Sequence, residues 1–325
     1  MEAMPLISVV IPAYNAGKTI GRACASVLNQ SYPNVELVVV NDGSRDDTAS
    51  ILEELAAAHP NMKCIHQENG GVCRARNAGL DAMSGEFLFF LDADDEIIPG
   101  ALEKLYQAAL ENRCDVVAGP SVEIKPDGTE VPYYYLEGQD LLIWEGMEAL
   151  RNSLLDHPAT YSVWGNLYRA EAVKEVRFVE GRRIHEDSFF YFEVLNRPLR
   201  MAVTNIHCVR YHVTAGSASR AVFNERFLDI LYFAQRKGEI IAREHPEFME
   251  AAGTMQVKAN MAFLKALPLA VDDRPFRAYE KQCLAAVREN ARYFVPAITM
   301  DKILFLFIRL RLFWLFKGLY RLIRR

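Results

Sequence analysis

Residues 86–95 read Glu-Phe-Leu-Phe-Phe-Leu-Asp-Ala-Asp-Asp, and this stretch decides the fold. The unbroken apolar run Phe87 to Leu91 has the character of a strand buried on both faces, as in a parallel sheet with helices above and below. Asp92, Asp94 and Asp95 follow at once. Carboxylates so dense are costly inside a protein, which places them just past the strand's carboxyl end, in the crevice where open α/β sheets bind ligands. Hard oxygen donors there suit a divalent cation that itself carries phosphates. The same residues are also what a turn before a helix opened by Pro99 would contain. The rest of the chain has to separate the two readings.

Working outward towards the amino terminus, the run repeats. Leu6–Ile11 is a β-branched strand stopped by Pro12, with a loop at Tyr14-Asn15-Ala16-Gly17 and a helical pattern from Lys18 to about Asn29. Val35–Val40 is the next strand, closed by Asn41-Asp42-Gly43-Ser44, after which Asp46 or Asp47 can cap a helix to about His59. Met62–His66 is a third, weaker strand, and beyond Asn69-Gly70-Gly71 the segment Val72–Met83 is helical. Strands alternating with helices predict right-handed crossovers and a parallel sheet, whose ligand crevice collects these loops.

Towards the carboxyl terminus the pattern becomes mixed. A helix to about Arg113, a strand at Asp115–Gly119, a hairpin of Val122–Lys125 with Thr129–Tyr135, a helix over Gln139–Leu155, a strand at Trp164–Arg169, a helix at Glu186–Asn196 and a strand at Ala202–His212 are expected. Residues from Phe223 to about Phe294 carry only helical periodicity, broken near Pro246 and Pro268. The expected domains are 1–220, made of halves 1–120 and 121–220, then a helical annex 221–300, then 301–325.

With 325 residues, 51% apolar and 24% charged, the chain can bury a full core. Six cysteines form no Cys-x-x-Cys pair, so reduced thiols in a cytosolic protein are expected. Met1–Pro5 leads into a strand without the basic and apolar regions of a signal peptide. Of the net charge of −5, residues 301–325 hold +6, leaving −11 on the remainder. No nucleic-acid partner is expected.

Asp42, directly after a buried strand, can accept from a donor edge such as the N3–H of uracil, with Pro12 to Asn15 flanking the ring and Tyr14 stacked on it. A plain turn at Asn41-Asp42-Gly43 accounts for the same residues. Gly70-Gly71 followed by Arg74, Arg76 and Asn77 sets cations at a helix amino end, a place suited to anionic oxygens or simply a solvated helix face. No Gly-x-Gly-x-x-Gly follows the first strand and no Walker lysine motif occurs, against dinucleotide and P-loop readings.

Taken in order, Pro12-Ala13-Tyr14-Asn15, Val40-Asn41-Asp42-Gly43-Ser44, Asn69-Gly70-Gly71 with Ala75-Arg76-Asn77-Ala78-Gly79, and Leu91-Asp92-Ala93-Asp94-Asp95 resemble family 2 of the glycosyltransferases, which have the GT-A nucleotide-sugar fold. The resemblance extends more loosely through Trp164-Gly165-Asn166-Leu167-Tyr168 and Glu186-Asp187 to Gly216-Ser217. It implies an inverting transferase that moves a sugar from a UDP-sugar to a hydroxyl of a glycan or lipid-linked acceptor in surface polysaccharide synthesis. Asp42 would read the uracil with Asn69 and Arg76 nearby, Asp92 would hold the ribose side, and Asp94 would ligate Mn²⁺ or Mg²⁺. Asp95 would support the site or meet the sugar. The base would be Asp187, beside Glu186, with His212 as a third metal ligand and Ser217 in a loop closing over the diphosphate. The sequence departs from the pattern at Asn166, where many relatives have Lys. A nucleotidyltransferase on a related sheet and a nucleotide-sugar-binding module without turnover are the rival readings.

Wound as a helix, residues 311–325 put Leu312, Leu315, Phe316, Leu319, Leu322 and Ile323 on one side, with Lys317, Arg321, Arg324 and Arg325 on the other. That predicts a helix lying in an anionic membrane surface at the cytoplasmic face, with a docked helix or a homo-oligomer contact as alternatives.

Overall fold

A computed structural model describes residues 4–160, 162–213, 223–293 and 299–323. The chain divides into two compact units, Met1–Leu150 with His157–Ala215, and Arg151–Asp156 with Gly216–Arg325.

The first unit opens with β1 (Ile7–Ala13), α1 (Ile20–Leu28), β2 (Val35–Asp42), α2 (Thr48–Ala58), β3 (Met62–Gln67), α3 (Val72–Ala82) and β4 (Phe87–Phe90). β1 pairs in parallel with β2 and β4, and β2 pairs in parallel with β3. All residues of β2 and β4 are buried, as the apolar run at 87–91 requires of a central strand covered on both faces. Then follow β5 (Glu96–Ile97), α4 (Ala101–Asn112), β6 (Val116–Ala118), β7 (Ser121–Ile124), β8 (Glu130–Pro132), β9 (Leu141–Gly146), α5 (Glu148–Leu154), β10 (Asn166–Arg169), α6 (Ala170–Val173), α7 (Glu186–Leu195), β11 (Leu199–Thr204) and β12 (Val209–His212). The main sheet has the order β3-β2-β1-β4-β10-β6-β11-β9, and a smaller sheet has the order β5-β12-β7-β8. β10 runs antiparallel to both β4 and β6, so the parallel pattern ends at the central strand.

Two expectations are corrected. Residues 139–155 are not one helix: Leu141–Gly146 pairs antiparallel with β11, and the helix begins only at Glu148, after Gly146 takes a φ of +61°. Edge pairing that buries Trp144 outweighs a helical pattern. Residues 202–212 form two strands in two different sheets rather than one. The break is made by Asn205, whose side chain accepts from the Tyr135 and Leu136 amides and donates to the Leu136 and Gln139 carbonyls.

The second unit is helical, with α8 (Leu228–Glu244), α9 (Met249–Ala266), α10 (Arg277–Glu289), α11 (Thr299–Arg309) and α12 (Phe313–Ile323). Its core gathers Phe223, Val257, Met261, Phe263, Leu264, Val287, Leu304, Ile308, Phe313 and Phe316. The expected single tail helix is two, broken where Arg311 adopts a φ of +60°. Among the described residues no helix is long and apolar enough to cross a membrane.

Candidate active site

The carboxyl ends of β1, β2 and β4 carry the residues singled out above, and short polar contacts lock their loops together. After β1, the Asn15 amide donates to Ser44 Oγ at 2.9 Å and the Asn15 side-chain oxygen accepts from the Arg45 amide at 2.8 Å. Ala16 and Gly17 amides donate to Thr48 Oγ1 and Asp46 Oδ2. Tyr14 is left half exposed on this platform, and Pro12 lies at the end of β1 opposite Val40.

Asp42 is 2% exposed. Its Oδ1 accepts from Gln67 Nε2 at 2.7 Å and the Gly70 amide at 2.9 Å, and its Oδ2 accepts from the Gly71 amide at 2.8 Å and Asn69 Nδ2 at 3.1 Å. Both oxygens are thus engaged by the chain's own donors, where the sequence suggested an acceptor waiting for a base. The loop reaches Asp42 because residue 43 has no side chain: at a φ of +70°, a Cβ on Gly43 would lie 2.7 Å from the Asn69 amide nitrogen. Gly43→Ala is therefore expected to destabilise the fold by about 1–3 kcal/mol, seen as a lowered melting temperature. An unchanged melting temperature would show that the loop can yield freely.

Arg76, on α3, is 3% exposed and sits at the centre of the acidic groups. Its guanidinium donates to Asp92 Oδ1 at 2.9 Å, lies 3.3 Å from Glu186 Oε1 and 4.0 Å from Asp187 Oδ1, and has the Phe178 ring 5.3 Å away. Burial alone disfavours the charge, but Asp92, Asp187 and Glu186 together hold it firmly protonated. Its Nε is buried without a partner. Arg76 joins the end of β4 to the start of α7.

α7 begins at Glu186, after His185 in the left-handed region at φ +63°. Glu186 is 8% exposed, and burial followed by the neighbouring Asp187 charge raises its carboxyl well above the carboxylate range. The contact of that carboxylate within ion-pair distance is with Arg76, at 3.3 Å. Asp187 itself keeps about a quarter of its side chain open to solvent. The two adjacent acids are therefore inequivalent: one enclosed, the other accessible.

The acids after β4 also divide. Asp94 is half-buried, and burial, then the charge of Asp92, raises its carboxyl. No other side chain among the described residues hydrogen-bonds or ion-pairs with that carboxylate, and the Asp94 backbone oxygen accepts from Arg22 at 2.8 Å. Asp95 is 1% exposed and pushed up to about 8 by burial and by Asp92. Its Oδ1 accepts from the His212 amide at 2.9 Å, which pins β12. Asp95 is thus enclosed, with one oxygen held by the chain itself. The His212 ring is committed to Glu96 Oε1 at 2.7 Å, and Glu96 is also 3.2 Å from Arg22. No three His, Cys, Asp or Glu side chains among the described residues form a ready cation cage. The residues still fit a hard divalent cation, because Asp94 is an unsatisfied oxygen donor beside Asp92, and Mg²⁺-type ions commonly take one or two carboxylates plus substrate phosphates.

Asn166 is 2% exposed; it donates to the carbonyls of Ser162 and Trp164 and accepts from Tyr191 OH. Here it is a buried turn staple. Trp164 stacks on Tyr211 with ring centroids 5.8 Å apart. Ser217 lies outside the described residues. Arg22, Gln67, Glu96 and Phe178 were missed by sequence reasoning. Gln67, next to the Asn69-Gly70-Gly71 turn, had a local signal, whereas Arg22 and Phe178 reach the site only through tertiary packing.

A crevice of acids at the carboxyl ends of a mostly parallel sheet that closes with antiparallel strands is the GT-A arrangement. The fold matches TarS of S. aureus, solved over residues 1–349 in complex with UDP-GlcNAc, with a TM-score of 0.72 and 22% identity over 98% of this chain and 91% of that one. It also matches the mannosyltransferase PcManGT of Pyrobaculum calidifontis in complex with GDP-Man and Mn²⁺, at a TM-score of 0.54 and 16% identity over 98% of this chain and 85% of that one. Residues 8–177 match the profile of Glycosyl transferase family 2, and the chain belongs to that family. It is similar to the glycosyltransferase GlyA of Streptococcus pneumoniae, 30% identical over 69% of this chain and 33% of GlyA, and to the uncharacterized glycosyltransferase YibD of Escherichia coli, 30% identical over 68% of this chain and 65% of YibD. The chain thus spans a third of the first and just under two-thirds of the second.

Proposed function

We propose that the protein is an inverting glycosyltransferase that moves a sugar from a UDP-sugar to an acceptor hydroxyl, with Asp187 as the base. The observation that carries this is Arg76, one buried cation that holds Asp92, at the donor end of β4, within ion-pair distance of Glu186 and Asp187. In the reaction, an acceptor O–H gives its proton to Asp187 as its oxygen forms the bond to the anomeric carbon. The bond from that carbon to the β-phosphate oxygen breaks, and UDP leaves with the electron pair. Glu186, enclosed beside Asp187 and paired with Arg76, positions that base at the start of α7. A divalent cation, Mn²⁺ or Mg²⁺, held by Asp94 would supply positive charge to that diphosphate. Tyr14, Pro12 and Asn15 form the platform for the base, and Asp42 holds the neighbouring loop in place through Asn69, Gly70 and Gly71. The acceptor is a glycan or lipid-linked hydroxyl used at the cytoplasmic face for surface polysaccharide.

The test is a screen of UDP-sugars with Mn²⁺ or Mg²⁺ that follows UDP release. Release from at least one donor is expected, rising with acceptor. Asp94→Ala is expected to lower release by about a hundredfold or more and to weaken metal-dependent UDP binding. UDP binding with no turnover of any donor would leave a binding module in place of an enzyme.

A further inference from the structure

α11 and α12 send part of their apolar surface inwards and part outwards. Leu304, Ile308, Phe313, Phe316 and Tyr320 enter the core of the helical unit. Leu306, Leu310, Trp314, Leu319 and Leu322 remain exposed, with Trp314 67% and Leu322 72% open to solvent. On α12 the positions 314, 315, 318, 319 and 322 fall on one helical face, and none of them is polar. An outward apolar surface of this extent marks an interaction site rather than scattered surface residues.

The charges beside it select the occupant. Lys317 is bound by Asp273 at 3.0 Å and Glu280 at 2.9 Å, and Arg321 by Asp273 at 2.7 Å, so the two cations that the helical wheel set facing a membrane instead fasten α12 to its own unit. Asp301, the acid of α11, is neutralised by Lys265 at 2.8 Å. Lys302, Arg309 and Arg311 are exposed and have no ion pair or hydrogen bond among the described residues through their side chains. Lys302, Leu306 and Arg309 share one side of α11, which alternates cation and apolar group along the rim of the outward face. That rim is purely cationic in a chain of net charge −5. A second copy docking through the same face would set these cations against each other.

We propose that the outward face of α11–α12 is a docking surface for an anionic lipid bilayer, with Trp314, Leu306, Leu310, Leu319 and Leu322 entering the interface and Lys302, Arg309 and Arg311 meeting lipid headgroups. The surface lies wholly in the helical unit and does not depend on the transfer reaction proposed above.

The test is sedimentation of the full chain with phosphatidylcholine vesicles containing phosphatidylglycerol, beside pure phosphatidylcholine, and light scattering without lipid. Binding to the anionic vesicles is expected, with a blue shift of Trp314 fluorescence. Trp314→Ser and the pair Lys302→Glu with Arg309→Glu, all at exposed positions, are each expected to lower partitioning by about tenfold or more with an unchanged melting temperature. Lys317→Gln, by contrast, is expected to lower the melting temperature. Equal sedimentation of the wild type and both surface variants would overturn the proposal, as would a lipid-free dimer that Trp314→Ser dissolves.

Discussion

Replacing Asp187 with Asn is expected to lower sugar transfer by about a hundred- to ten-thousandfold, the contribution of one positioned general base, while UDP remains bound. Asn keeps the size of the side chain at the helix start, so the fold is preserved and only the proton sink is lost. Glu186→Gln is the matched comparison. Because Glu186 is enclosed and burial and the Asp187 charge raise its carboxyl, it is the poorer proton acceptor from a substrate, and the kcat of Glu186→Gln is expected to fall far less. Steady-state UDP release with acceptor, beside UDP titration by calorimetry, separates the outcomes. Full turnover in Asp187→Asn with collapse in Glu186→Gln would transfer the role of base to Glu186.

Arg76→Met is expected to destabilise the fold by about 3–5 kcal/mol, the range for removing one partner of a buried ion pair. Met fills much of the same volume against Phe178, so the loss is electrostatic: Asp92, Glu186 and Asp187 keep their positions without the cation between them. The pH dependence identifies the cause. Acids left unpaired in a buried site bind protons more tightly folded than unfolded, which favours the folded state at low pH. That advantage disappears as pH rises from the ordinary carboxylate range through the raised folded values. Glu186 is already pushed up to about 8 with Arg76 in place, so the deficit of Arg76→Met is expected to grow as pH rises through and above that value, read by urea denaturation against the wild type. A deficit independent of pH would be falsified electrostatics and would point to packing alone.

The parallel half of the fold was legible because each strand there is a short apolar run closed by a polar loop, and a buried central strand leaves no other use for Phe87–Leu91. The strands of the later half were less so. β9 is an edge strand, and its Leu-Leu-Ile-Trp segment pairs with β11 only because the sheet offers an open edge there. In the candidate site, the sequence located the groups and left their partners undetermined. Nothing around Asp42 shows locally that the Gly70 and Gly71 amides turn back onto it, and nothing around Arg76 shows that its partners lie 16 and 110 residues further along the chain. Tail chemistry was read correctly as both apolar and basic. Which cations were free depended on Asp273 and Glu280, in a different part of the annex.

The antiparallel strand β10 next to β4 bears on how the chain assembles as it is made. β4 is complete once residue 90 has been synthesised, and β1 can pair with it at once on one side. Its other neighbour is residues 166–169, which also supply one flank of β6. Until that segment leaves the ribosome, β4 presents an apolar open edge and β6 lacks both of its partners. A chain stopped near residue 120 would hold β1 to β4 and α1 to α3 with that edge exposed to other chains, the condition for aggregation of a partly made sheet. Residues 1–120 are therefore not expected to fold as a detachable module, and a fragment that keeps β4 and β6 paired has to extend through β11.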